Sequence, residues 1–86
     1  MRFRYACGWW CYPIPNARET DGAKTLARAA VIDAVERFMI PTRREGDRVW
    51  ERADLTIYSP TRKWECYILF SPKGQMKMRI TEVRPE

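Results

Sequence analysis

The chain has 86 residues, room for one domain with one core and not for two. Hydrophobic residues make up 45% of it, which argues against disorder despite 31% charged residues. Sixteen Lys and Arg against eleven Asp and Glu give a net charge of +5, a balance that favours a polyanionic partner: nucleic acid or an acidic protein surface.

The first segment, Arg2 to Cys7, alternates. Phe3, Tyr5 and Cys7 share one face and Arg2, Arg4 and Ala6 the other, which predicts a strand with one buried side. Gly8 breaks the alternation, and Trp9 and Trp10 are expected to extend or bulge that strand. Adjacent strand residues point to opposite faces, so one Trp is expected in the core and the other outside. Pro13, Pro15 and Asn16 are read as the end of regular structure and the start of an ordered loop to Gly22. Thr20 or Asp21 is the expected N-cap of the helix that follows.

Ala23 to Ile40 is the clearest helix. Ala27, Ala30, Val31, Ala34, Val35 and Phe38 form one apolar stripe, with Leu26 and Met39 at its edges. Lys24, Arg28, Asp33 and Arg37 lie off the stripe, and Asp33 with Arg37 makes a favourable i,i+4 pair. Pro41 stops the helix, and a polar loop runs from Thr42 to Arg48.

Alternation then returns from Val49 to Tyr58, with Val49, Ala53, Leu55 and Ile57 inward and Trp50, Arg52, Asp54, Thr56 and Tyr58 outward. After a turn at Ser59 to Arg62, a strand from Lys63 to Phe70 points Trp64, Cys66, Ile68 and Phe70 inward. Ser71-Pro72-Lys73-Gly74 suits a hairpin turn, and Gln75 to Val83 forms the last strand, with Met76, Met78 and Ile80 inward. The expected order is β-α-β-β-β: an α+β two-layer sandwich of one helix on a mostly antiparallel four-stranded sheet. A parallel pairing of the first strand with the second would require a right-handed crossover; the strand order is left open.

The chemistry is sparse. The chain has no His, which removes the commonest general base and metal ligand, and its four Gly are scattered rather than grouped in a phosphate loop. No enzyme activity, cofactor or metal is expected. Cys7 and Cys66 fall on inward faces, where Cys acts as a small hydrophobe; with Cys11 they make an odd set, not a disulfide framework. Met1 to Tyr12 lacks the apolar core of a signal peptide, and no stretch approaches the roughly 20 apolar residues of a membrane span. A cytoplasmic protein without membrane contact is expected.

Three surfaces stand out. The outward face of the sheet gathers Arg2, Arg4, Arg52, Lys63, Lys77 and Arg79 with Trp50, Tyr58 and Tyr67, a mixture suited to single-stranded nucleic acid. The alternative is a solvated face whose Lys and Arg stems cover the rings. The second is the run Trp9, Trp10 and Tyr12, a protein-binding anchor or else a mini-core pinning the loop. The third is Arg43, Arg44 and Arg48 beyond the helix, suited to clamping phosphate or carboxylate, or to meeting the helix dipole. Two functions are therefore weighed. One is a basic nucleic-acid-binding module. The other is a protein-binding adaptor or inhibitor of the style viruses and mobile elements use against host nucleic-acid-processing complexes. A self-associating component joined through a strand edge is a third.

Overall fold

The computed structural model describes residues 3–38, 51–71 and 73–83, with the Phe38 side chain left aside. Strands β1 (Arg4–Cys7) and β2 (Trp10–Pro13) form a hairpin; helix α1 (Ala23–Phe38) follows; β3 (Glu51–Tyr58), β4 (Lys63–Phe70) and β5 (Met76–Val83) form a meander. The sheet has five strands in the order β2-β1-β3-β4-β5, and every neighbouring pair is antiparallel.

The α+β class with one helix on one sheet agrees with the sequence reading, but the four-strand count does not. The extra strand is Trp10–Pro13, where the sequence points to an extension or bulge of the first strand through Trp10 and the end of regular structure at Pro13. Gly8 is the reason it exists: its φ of 61° begins a two-residue turn that brings Cys7 opposite Trp10. Positive φ at Gly8 but not at Trp9 fits a type II′ turn, whose twist matches a hairpin. Pro13 is tolerated because β2 is an edge strand. The hairpin reverses the chain before the helix, and β1 therefore meets β3 antiparallel, with Arg4 opposite Tyr58.

The helix begins at Ala23, with Gly22 accepting the first helical bond from the Leu26 N–H at 3.0 Å. Gly22 is thus the capping residue in place of Thr20 or Asp21. The Asp21 carboxylate instead accepts from the Arg18 N–H at 2.8 Å, closing the preceding loop. Ala27, Ala30, Val31 and Ala34 are buried as the stripe predicts, and Leu26 joins them fully. Met39 and Ile40, the last two residues of the expected helix, lie outside the described residues, as do Val49 and Trp50.

A single core forms between helix and sheet. Tyr5, Leu55, Ile57, Trp64, Cys66, Ile68 and Phe70 face α1, as alternation requires. Each fully buried large apolar side chain, such as Ile57 or Ile68, contributes about 1.5–3 kcal/mol. Ile14 is also fully buried, and its N–H donates to the Phe3 carbonyl at 2.9 Å. Ile14, not a Trp, therefore pins the proline-rich loop. At the opposite side of the sheet, Met76, Met78 and Ile80 of β5 are only half-buried. At the end of the core, Arg62 covers the Trp64 ring at 4.8 Å and pairs with Glu82 at 2.5 Å.

Candidate functional site

Directly opposed residues in an antiparallel sheet project on the same face. The register therefore sorts the uncovered face into rows running across the strands. One row holds Arg4, Tyr58, Lys63 and Val83; the next Ala6, Thr56, Glu65 and Thr81. Then come Asp54, Tyr67 and Arg79, and last Arg52, Leu69 and Lys77. Of the predicted face, Arg4, Arg52, Lys63, Tyr67, Lys77 and Arg79 are brought together with Tyr58. Arg2 and Trp50 lie outside the described residues.

The rings on this face are open to solvent: Tyr67 is 42% and Tyr58 37% exposed. Each carries a cation nearby, Arg52 at 5.4 Å from the Tyr67 centroid and Lys63 at 5.6 Å from that of Tyr58. Leu69, which the sequence reading passed over, is equally exposed at 41%. Its place beside Tyr67 was recoverable from the same alternation. A shallow depression of about 570 Å³ lies at this end, bordered by Arg52, Tyr67, Leu69, Lys77 and Arg79.

The carboxylates of the face behave differently from one another. Asp54 is engaged by Arg52, whose Nε donates to Oδ1 at 2.8 Å and Nη2 to Oδ2 at 3.3 Å. That fork holds the Arg52 guanidinium charged above its ordinary pKa. The Glu65 side chain makes no hydrogen bond or ion pair among the described residues, and neither do those of Arg4 and Arg79.

The tryptophan run does not divide as expected. Neither Trp enters the core: Trp9 sits in the β1–β2 turn, 99% exposed, and Trp10 is 59% exposed. Tyr12 is not a free anchor either. It is half-buried against the core, 6.1 Å from the Tyr5 ring, with the Arg37 guanidinium 4.2 Å above its own ring. Arg43, Arg44 and Arg48, the third predicted surface, lie outside the described residues.

Behind Tyr12 is a cluster of which sequence reasoning found the Asp33–Arg37 pair but not the Tyr5 contact. The Tyr5 hydroxyl donates to Asp33 Oδ2 at 2.5 Å, and Arg37 Nε donates to the same oxygen at 2.7 Å. Burial opposes charge on Asp33, but these two donors outweigh it and hold its carboxyl below the usual range. Burial, with the Asp33 hydrogen bond, pushes the Tyr5 phenol well above its ordinary value. This is a structural latch between hairpin and helix.

Among the described residues no group of three His, Cys, Asp or Glu side chains is placed to hold a metal ion. Among them, too, no helix is long and apolar enough to cross a membrane. Compared with known proteins, the chain matches no family model, no curated protein and no solved structure.

Proposed function

We propose that this chain is a non-enzymatic domain that binds single-stranded nucleic acid on the open face of its sheet. The observation that carries this reading is the grouping of Arg4, Arg52, Lys63, Lys77 and Arg79 around the exposed Tyr58 and Tyr67, with the helix on the other side. Cations neutralise phosphates, and exposed rings stack on bases without demanding a sequence. The absence of His supports binding rather than catalysis. A cytoplasmic location fits three cysteines that are all free.

The test is titration of a labelled mixed-sequence single strand at low and at near-physiological salt. Neutralising up to five phosphates gives a log–log salt slope of about −3.5. Binding with a slope of that order is the expected outcome; no binding at low salt removes the reading.

A second reading is favoured by one observation, the complete exposure of Trp9 in the hairpin turn. Under it, Trp9 and Trp10 anchor the chain to a protein, in the manner of a viral or mobile-element inhibitor. Trp9→Ala then abolishes capture of that protein, while Arg79→Ala only slows it.

A further inference from the structure

The open face is not uniform, and its two halves differ in what they offer a phosphate chain. The row of Glu65, whose side chain has no partner among the described residues, lies between the half holding Arg4, Tyr58 and Lys63 and the half holding Tyr67 and Arg79. An unpaired carboxylate repels phosphate at close range. Within the Tyr67 half the carboxylate is Asp54, already held by both arms of Arg52. There Lys77 and Arg79 flank Tyr67 and Leu69 in the depression, and Arg79 makes no ion pair among the described residues.

The β1–β2 turn belongs to this second half. Arg4 is opposite Tyr58 and Ala6 opposite Thr56, so continuing the register brings Gly8 level with Asp54. Asp54 is in turn opposite Tyr67, and Tyr67 opposite Arg79. The turn that carries Trp9 therefore stands at one end of the row and Arg79 at the other. Three strand gaps separate them, about 14 Å at ~4.8 Å per gap. That distance accommodates a few nucleotides of an extended strand.

Accepting the nucleic-acid reading, on which this rests, we infer that the single strand crosses the β-strands along the Asp54–Tyr67–Arg79 end of the face, from the Trp9 turn to β5. Tyr67 and Trp9 stack bases, Lys77 and Arg79 meet phosphates, and the Glu65 row borders the path on its Tyr58 side. This gives the exposure of Trp9 a use at the same end of the sheet as Lys77 and Arg79.

The experiment measures affinity of a labelled mixed-sequence single strand for the full chain and its variants, at one low salt concentration. Base stacking on an aromatic side chain is worth roughly a tenfold factor or more when removed. Tyr67→Val and Trp9→Ala are each expected to weaken binding about tenfold on that basis, Tyr67→Phe to preserve it, and Tyr58→Val to change it less than about twofold. Glu65→Gln is expected to strengthen binding, because it removes the repelling charge. Circular dichroism of each variant checks that the fold persists. Full sensitivity at Tyr58 with none at Tyr67, or indifference to Trp9→Ala, overturns the path while leaving nucleic-acid binding standing. Absence of binding by the unmodified chain overturns both.

Discussion

Asp33 ties the N-terminal hairpin to the helix, through one oxygen that accepts from both Tyr5 and Arg37. The Asp33–Arg37 half of this contact was legible in the sequence, because i,i+4 spacing on a helix brings the two side chains together. The Tyr5 half was not: alternation marked Tyr5 as buried but could not say which helix residue its hydroxyl would meet. Removing the hydroxyl in Tyr5→Phe is expected to cost about 1.5–3 kcal/mol, the range for hydrogen bonds to charged groups. Urea unfolding at neutral pH measures it. The Asp33 carboxyl titrates lower in the folded chain than unfolded, so its contribution is full above the ordinary carboxylate range. It is lost as pH falls through the lowered value. The stability gap between the native chain and Asp33→Asn should therefore narrow between neutral pH and about pH 3; a gap that widens on acidification would contradict the latch. The cysteines separate by the same physics. Burial alone pushes the Cys66 thiol up to about 11, and burial with nearby Asp54 raises Cys7. A thiol reagent at mildly alkaline pH is expected to modify exposed Cys11 first, Cys7 more slowly, and Cys66 only on unfolding.

Elements with a single uninterrupted period were the ones read well. The strand from Lys63 to Phe70 has the bounds that alternation predicts, and the buried side of the helix is the alanine stripe. The hairpin was obscured because its second strand is four residues long, opens with an exposed Trp and ends in Pro13. Nothing in Trp10–Pro13 alternates between apolar and polar; what made it a strand was the backbone freedom of Gly8 and a partner already in place. The face of the candidate site was legible for the same reason as the core, since period two fixes both sides of a strand at once. Its division into two unlike halves was not, because that depends on register between strands. The alanines of α1 also set how closely the helix lies on the sheet. Ala30 is fully buried, so Ala30→Leu should overpack that contact and cost about 1–3 kcal/mol. Thermal unfolding checks this, with Ala29→Leu, at a half-buried position, as the milder control.

At the scale of the molecule, the helix covers one side of the sheet and leaves the other open, so the two faces have separate work. Apolar side chains beneath α1 hold the fold together, while the charges opposite contribute little to stability. Surface ion pairs such as Arg52–Asp54 are worth at most about 1 kcal/mol. The open face is thus free to carry a binding pattern that the core neither requires nor constrains. The strand order has a kinetic corollary. The three strands of the meander are consecutive, joined by the turns after Tyr58 and Phe70, and need only local loop closure. Joining β1 to β3, with Arg4 opposite Tyr58, closes more than half the chain and must be offset by many contacts at once. The meander is therefore expected to assemble early and the hairpin to dock late. In stopped-flow refolding, Ile68→Val should slow folding, whereas Tyr5→Phe should leave the folding rate nearly unchanged and speed unfolding. The last piece to arrive would then be the hairpin that carries Trp9, so the intact surface exists only once the slowest contact of the fold has closed.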